Sequence, residues 1–217
     1  MADKFWNIVK SWAAANGTNI LETQLSKLAR HKSMVLETNK YMNLTAITDP
    51  EEFAVKHIID SLSLLPYIPK GVTLADVGTG AGFPGLVLAI MREDLQVVLL
   101  DSLRKRIFFL QDVIEELNLA NITAIHARAG QWDDPNVPRF DICVARAVAQ
   151  MDKLAKWVLP LTASGGRFIA MKGPDVSEEM EKASPTIAKF GGLVENVDEI
   201  EISPGVGRSI VVIRRGS

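Results

Sequence analysis

A glycine-rich loop constrains the fold of this chain more than any other feature of its sequence. An apolar stretch at residues 72–77 runs into Gly78, Gly80 and Gly82, and a helical pattern begins near Pro84. Closely spaced glycines allow positive φ angles and let the backbone approach a ligand. The exposed amides at the start of the following helix can donate hydrogen bonds to that ligand. A strand, a loop and a helix in this order predict a nucleotide-type site at the carboxyl end of the first strand of a parallel sheet.

Strands and helices alternate through the chain after residue 71. This alternation predicts an α/β fold, with a mostly parallel sheet covered by helices on both faces. Two closing strands near residues 194–202 and 209–213 have no helix between them, so we expect an antiparallel hairpin and seven strands in all. Residues 1–70 have helical patterns. We therefore expect an N-terminal helical extension at 1–70, packed on a core of residues 71–217.

Composition and charge exclude several classes of protein. The chain has 217 residues, a net charge of −2 and one cysteine, Cys143. It has no apolar run near the roughly 20 residues of a membrane span and no leader pattern, so we expect a cytoplasmic protein. One cysteine excludes an internal disulfide framework and a cysteine-based metal cluster, and we expect no metal. The near-neutral charge argues against coating nucleic acid by bulk electrostatics, but it allows a local basic face.

Two acidic residues bear on which nucleotide-type ligand the loop binds. Residues 80–85 match the G-x-G-x-x-G dinucleotide pattern, which is weak by itself. Asp76 lies two residues before the first glycine, where an acid suits the cationic amino-acid head group of S-adenosylmethionine and repels a pyrophosphate. Asp101 ends the next strand, where a carboxylate can accept both ribose hydroxyls, as it also does in nicotinamide-dependent enzymes. Asp76 thus favours S-adenosylmethionine; the alternative is that Asp76 only caps the turn.

Arg146 follows the fourth predicted strand, where a side chain points into the ligand crevice. Its five donors lie in a fixed plane and can hold a carboxylate, a phosphate or the O6/N7 edge of guanine. We expect Arg146 to position the cofactor or the substrate without exchanging protons; the alternative is a surface ion pair. We assign no chemistry to His57, and Lys56 and Asp60 are most simply solvated or capping groups.

Several basic residues are candidates for contacts with RNA phosphates, and for each a solvated helix face is an equally good interpretation. They are Lys27, Arg30, Lys32, Arg104, Lys105, Arg106 and Lys172.

Six strings of residues together resemble a known family: Asn-Leu-Thr-Ala-Ile at 43–47, and residues 56–62, 76–85, 128–129, 145–148 and 171–173. They resemble the bacterial RsmG (GidB) family of small-subunit ribosomal RNA guanine-N7 methyltransferases, and the resemblance covers nearly the whole chain. It implies a class I, Rossmann-like methyltransferase fold, an S-adenosylmethionine cofactor and 16S ribosomal RNA as the substrate. The RNA would be met in the small subunit or in an assembly intermediate.

The resemblance also implies where the cofactor binds. It places contacts at Gly78, Phe83, the pair Ala129 and Gly130, and Arg146. The chain departs from the family at one of these positions, because the family usually has Arg-Ala-Glu where this chain has Arg-Ala-Gly at 128–130. Glycine keeps the backbone amide there and removes a carboxylate.

The chemistry at guanine N7 requires few catalytic groups. N7 has a free lone pair and no proton, so an in-line methyl transfer needs no general base, and the protein only has to align the reacting atoms. Three other functions stay open on the sequence. They are methylation of another RNA, a protein or a small molecule, a nicotinamide-dependent oxidoreductase, and a non-catalytic RNA-binding module.

Overall fold

A single seven-stranded sheet organises the computed structural model, which describes residues 4–131 and 138–216. The strands lie in the order β3-β2-β1-β4-β5-β7-β6. Five of them run parallel, and β7 is antiparallel to both β5 and β6. The predicted sheet and its closing hairpin are therefore confirmed. The strands are Thr73–Val77 (β1), Gln96–Asp101 (β2), Ile122–His126 (β3), Phe140–Arg146 (β4), Thr162–Lys172 (β5), Gly192–Ser203 (β6) and Val206–Arg215 (β7).

Helices cover both faces of the sheet. None of the helices in the described part of the chain is long and apolar enough to span a bilayer. The α-helices are Lys4–Ala15 (α1), Glu22–Met42 (α2), Pro50–Phe53 (α3), Asp60–Leu62 (α4), Gly85–Met91 (α5), Arg104–Glu116 (α6), Met151–Val158 (α7) and Ser177–Lys189 (α8).

The strand order reverses direction at β1. From β1 the chain crosses to β2 on one side, whereas β4 pairs with β1 on the other side. The crossover connections leave this point in opposite directions, so a crevice opens beyond the carboxyl ends of β1 and β4. The glycine loop follows β1, and Arg146 ends β4. The fold therefore brings the two sequence features that were predicted to bind ligand to one place.

Alternating side chains of the central strands divide the core into two layers. Leu74 and Ile142 belong to the layer that includes α1, α2, α5 and α6, whereas Ala75 and Cys143 belong to the layer beneath α7 and α8. The N-terminal helices share the first layer, because Phe5 is packed in the same cluster as residues of α5 and α6. One continuous hydrophobic core thus joins the helical extension to the sheet, while the boundary near residue 70 stays a prediction.

The third predicted helix differs from expectation in its middle. Asp49 caps its start, with Oδ1 accepting from the amides of Glu51 and Glu52, both at 2.9 Å. Between α3 and α4, however, residues Ala54–Ile59 form a π-helix. The Lys56 carbonyl in this segment accepts a hydrogen bond from the Arg146 side chain at 2.7 Å. Single π-helical turns are frequent at functional sites, and this one faces the crevice.

Candidate functional site

Asp76 connects the two ends of the glycine loop. Its Oδ2 atom accepts hydrogen bonds from the Thr79 hydroxyl at 2.7 Å and from the Gly85 amide at 2.8 Å. The side chain is fully buried, and this burial raises the pKa of the carboxyl to about 6. The carboxylate organises the loop from inside and lines neither of the two cavities that adjoin it, while its Oδ1 atom has no hydrogen-bond partner among the described residues. The expected contact with a cofactor head group stays a prediction.

Gly78 lies where the loop passes closest to the segment after β4. Its φ is +74°, and a Cβ atom placed there would be 2.6 Å from Val148 Cγ2. The amides of Gly78 and Thr79 both donate to the Leu100 carbonyl at the end of β2, at 2.8 and 3.1 Å. The absence of a side chain at position 78 therefore lets the loop pack between β2 and Val148. Glycine is required where the backbone approaches a neighbouring side chain this closely.

A first cavity of about 370 Å³ opens at the carboxyl ends of β1 and β2. Asp101, Gly78 and Ala129 line it, as the sequence and the resemblance led us to expect. The Asp101 carboxylate is 3% exposed. Three donors hold it: Leu103 N at 2.9 Å on Oδ1, and Gly80 N at 3.0 Å and Arg106 Nη1 at 3.2 Å on Oδ2. A carboxylate has about four acceptor positions, so capacity for another donor remains.

Gly130 does not line this cavity. Its φ is +83°, and a Cβ atom placed there would meet the indole of Trp157. Trp157 is the residue that lines the cavity at this point. Gly82 also lines neither cavity, because it packs beneath the loop against Leu86 and Leu110. Both glycines therefore lie beside the cavities without lining them, and their expected contacts with the cofactor stay predictions.

A second cavity of about 470 Å³ adjoins the first. The two share Gly78, Arg106 and Ala147 as lining residues. The second cavity lies between the glycine loop, the π-helical segment and the ends of β4 and β5. Its lining includes Gly80, Phe83, Arg146, His57, Asp60, Lys172 and Arg208. The N-terminal extension therefore supplies part of one wall, and the α/β core supplies the rest.

Arg146 forms a buried ion pair at the wall of the second cavity. Its Nη1 donates to Asp60 Oδ2 at 2.8 Å, and Asp60 is fully buried. Arg208 of β7 donates to the same carboxylate, from Nε at 2.6 Å and from Nη2 at 2.9 Å. Two cations around one carboxylate leave a net positive charge at the cavity. The expectation that Asp60 is a solvated or capping group is wrong, because it is the centre of this cluster.

His57 stacks on Phe83 and touches Arg146. The two rings are parallel within 8° with centroids 4.5 Å apart. Burial and the nearby Arg146 charge lower the pKa of His57 to about 3, so the ring is neutral at neutral pH. Arginine only donates, so Nδ1, at 3.2 Å from Arg146 Nη2, is the acceptor, and Nε2 carries the hydrogen towards Thr45 Oγ1 at 2.9 Å. Both nitrogens therefore have partners.

His31 contacts the glycine loop from α2. Its Nε2 lies 2.8 Å from the Ala81 carbonyl and must donate to it, and its ring centroid is 4.8 Å from that of Phe83. The side chain is fully buried, and burial lowers its pKa to about 4. Phe83 thus lies between a histidine of α2 and a histidine of the π-helical segment. Sequence reasoning did not single out His31, and it assigned no chemistry to His57 without predicting that its ring stacks on Phe83.

The basic residues that were candidates for RNA contacts have different surroundings. Arg104 and Lys105 are exposed at the start of α6. The Arg30 side chain pairs with Glu116 at 2.8 Å, and the Lys32 ammonium lies 4.0 Å from the centre of the Phe5 ring. Lys27 is half-buried on α2. The structure therefore leaves the start of α6 as the most open basic surface of this set.

Arg106 and Lys172 are engaged at the cavities. Arg106 pairs with Asp101, as described above, and lines both cavities. Lys172 lines the second cavity, but its ammonium donates to the Ala149 carbonyl at 2.7 Å and pairs with Glu179. These two cations therefore organise the site from within.

Phe108 is a residue that the sequence did not single out. It is 62% exposed, and it follows Arg104 by four positions on α6, so the two side chains lie on the same face of the helix. An exposed aromatic ring beside two exposed cations is the combination that single-stranded nucleic acid binds by stacking and charge. Little in the sequence distinguishes the exposed Phe108 from the adjacent Phe109, which is buried in the core.

Known proteins resemble this chain over most of its length. The family model GidB, described as rRNA small subunit methyltransferase G, matches residues 24–205. A relative named Ribosomal RNA small subunit methyltransferase G from Acetivibrio thermocellus is 44% identical over 207 residues, covering 94% of this chain and 85% of that protein. One of the same name from Desulforamulus reducens is 42% identical over 203 residues, covering 91% of this chain and 84% of that protein.

The fold is that of class I methyltransferases. A solved methyltransferase from Pyrococcus furiosus superposes with a TM-score of 0.61 and covers 91% of this chain and 100% of its own. Its sequence identity is 14%, so this likeness shows the fold alone. The family match and the two relatives carry the stronger conclusion: this chain belongs to the rRNA small subunit methyltransferase G (GidB) family.

Proposed function

We propose that this chain transfers the methyl group of S-adenosylmethionine to N7 of a guanine in 16S ribosomal RNA. The observation that carries the proposal is the pair of adjoining cavities that meet at Gly78. One contains the buried carboxylate of Asp101, and the other is bordered by the cation Arg146. The family match supports ribosomal RNA of the small subunit as the substrate. We place the reaction in the cytoplasm, on the small subunit or an assembly intermediate of it.

The first cavity suits S-adenosylmethionine in size and in chemistry. Its volume of about 370 Å³ is within the usual range for small-ligand sites. Asp101 would accept from the ribose hydroxyls, and the backbone beside Ala129 would meet the adenine edge. The side-chain-free surface of Gly78 would allow the ligand to lie against the loop. When bound, the cofactor supplies a methyl group that is activated by its positive sulfonium sulfur.

The second cavity suits a guanine. Arg146 would offer its guanidinium plane towards the O6/N7 edge or the adjoining phosphate. Asp60 holds that plane through its hydrogen bond to Nη1, and the Phe83 ring lies 5.5 Å from the guanidinium carbon. This arrangement supports a positioning role for Arg146, in which the guanidinium orients the base and exchanges no proton.

No general base is needed, and the site's histidine is unsuited to be one. Guanine N7 has no proton to remove. His57 is neutral, yet its only lone pair on nitrogen accepts from Arg146, and its pKa is lowered to about 3. Such a weak and occupied base contributes little to proton transfer at neutral pH. His57 instead supports Arg146 and Phe83 at the cavity wall.

The RNA would approach across the exposed start of α6. Arg104 and Lys105 would contact phosphates there, and Phe108 would stack on an unpaired base. Lys27, Arg30 and Lys32 on α2 form a second basic group that we propose as a weaker phosphate contact. Binding through phosphates releases counterions, so affinity for the small subunit should fall with rising salt. An affinity that stays constant over a salt titration contradicts this part of the proposal.

Replacement of Arg146 tests the positioning role. In Arg146→Ala, Asp60 keeps the Arg208 pair, so the fold should be retained, as thermal unfolding would verify. We expect single-turnover methyl transfer to small subunits to slow about 100-fold, the usual cost of a misplaced reactant. Arg167→Ala is the control, because Arg167 of β5 pairs with Glu195 of β6 and lines neither cavity. Full methyl transfer by Arg146→Ala at limiting cofactor and RNA would refute the role.

A further inference from the structure

Trp157 forms one wall of the first cavity. Among the described residues that line this cavity, Trp157 is the one with an aromatic side chain. It is carried by α7, whose Leu154, Ala155 and Val158 are buried in the core layer beneath that helix. Because the helix is fixed by this buried face, the indole is presented to the cavity from a rigid support.

Gly130 sets the position of that indole. A Cβ atom at Gly130 would lie 2.5 Å from Trp157 Cδ1, 3.0 Å from Nε1 and 3.3 Å from Cγ. The five-membered ring of the indole therefore rests directly against the α-carbon of Gly130. Any side chain at position 130 has to displace the indole or the loop, because α7 cannot retreat without opening the core. The glycine and the tryptophan act as one structural pair.

We propose that Trp157 is the aromatic surface against which the adenine ring of the cofactor binds, and that Gly130 is required to hold the indole there. This inference rests on the proposed function, since it assigns a residue to the cofactor cavity. The other residues that line the cavity suit an adenine ring placed against Trp157. Asp101 and Ser102 provide the polar end of the cavity, while Ala127, Ala129 and Val148 provide small apolar neighbours for a flat base.

The chain contains a matched control for the glycine. Gly165 has φ +76°, close to the +83° of Gly130, but a Cβ there would meet no atom within 4 Å. Replacing either glycine with alanine imposes the same kind of backbone strain. Only the replacement at position 130 also pushes on Trp157. A difference in cofactor affinity between Gly130→Ala and Gly165→Ala therefore reports the indole contact and not the strain.

Calorimetric titration with S-adenosylhomocysteine tests the pair without any need for turnover. We expect Trp157→Leu and Gly130→Ala to weaken binding by about tenfold or more, the effect of losing one base–aromatic stack. Trp157→Phe should retain most of the affinity, because a phenyl ring still offers a flat surface. Gly165→Ala should bind as the unmodified chain does. Unchanged affinity in both Trp157→Leu and Gly130→Ala would overturn the inference.

Tryptophan fluorescence gives a second readout that does not depend on the stability of a leucine variant. We expect S-adenosylhomocysteine to change the emission of the unmodified chain, and Trp157→Phe to abolish most of that change. Trp12→Phe on α1 is the control and should keep the signal, because Trp12 packs against the core layer of that helix and lines neither cavity. A signal that persists without Trp157 contradicts the stacking contact. If the unmodified chain binds no S-adenosylhomocysteine, the proposed function itself fails. If the unmodified chain binds it and the Trp157 variants bind it equally well, only the Trp157 contact fails.

Discussion

At the scale of single residues, the direction of a side chain decides its role. Asp76 stands at the expected place before the glycine loop, yet its carboxylate points inward and holds Thr79 and Gly85. A sequence pattern locates an acid along the chain, but whether the side chain faces a cavity depends on how the loop packs on α5. Asp101 ends a parallel strand and does line the first cavity, while its expected contact with the ribose hydroxyls stays a prediction.

Gly78 provides the sharpest test at this scale. Gly78→Ala should weaken S-adenosylhomocysteine binding at least about tenfold more than Gly80→Ala does. Both variants bear the cost of roughly 1–2 kcal/mol for a positive φ. Only the new Cβ at position 78 meets a neighbour, Val148 at 2.6 Å, whereas position 80 has no atom within 4 Å. Titration calorimetry measures both, and equal affinities for the two variants would contradict the close-approach role of Gly78.

At the scale of elements, contacts between distant segments build the second cavity. The π-helical segment contributes His57, β4 contributes Arg146, and β7 contributes Arg208, which reaches Asp60 across 148 positions of sequence. Periodicity predicted each of these elements, but it carries no information about such long-range ion pairs. The buried cluster around Asp60 was therefore invisible to sequence reasoning, although the two arginines and the aspartate are each plain in the sequence.

The docking of α2 on the glycine loop should make stability depend on pH through His31. Its pKa is about 4 in the folded chain, against an ordinary value of 6.5. Between these values the unfolded chain binds a proton that the folded chain does not, so the free energy of unfolding falls as the pH falls. The slope is about 1.4 kcal/mol per pH unit for one such group. His57 acts with the same sign, whereas Asp76, with its raised pKa, acts in the opposite sense.

The His31 contribution is isolated by comparing variants. Urea unfolding of His31→Gln between pH 6 and pH 5 should show a slope that is lower by about 1.4 kcal/mol per pH unit than that of the unmodified chain. His126→Gln is the control, because His126 is exposed on β3. Parallel pH profiles for His31→Gln and the unmodified chain would show that His31 is not held neutral by burial.

At the scale of the whole molecule, the strand order explains why two cavities lie side by side. The reversal at β1 opens the crevice, the α/β core provides the first cavity, and the N-terminal helices complete the second. The alternation of strands and helices predicted this architecture, including the antiparallel end of the sheet. The apolar stripes of α1 and α2 predicted an extension packed on the core, but a stripe does not identify its partner, so the contact with α5 was not predicted.

We propose that the two cavities together bring S-adenosylmethionine and a guanine of 16S ribosomal RNA into line for methyl transfer to N7. The most direct measurement incubates the chain with unmethylated small subunits and S-adenosylmethionine carrying a labelled methyl group, and then maps the methylated nucleotides by mass spectrometry. We expect the label on N7 of a guanine in the 16S RNA, and a strongly reduced label with Arg146→Ala. A label on any other atom or any other RNA, or no transfer at all, would contradict the account.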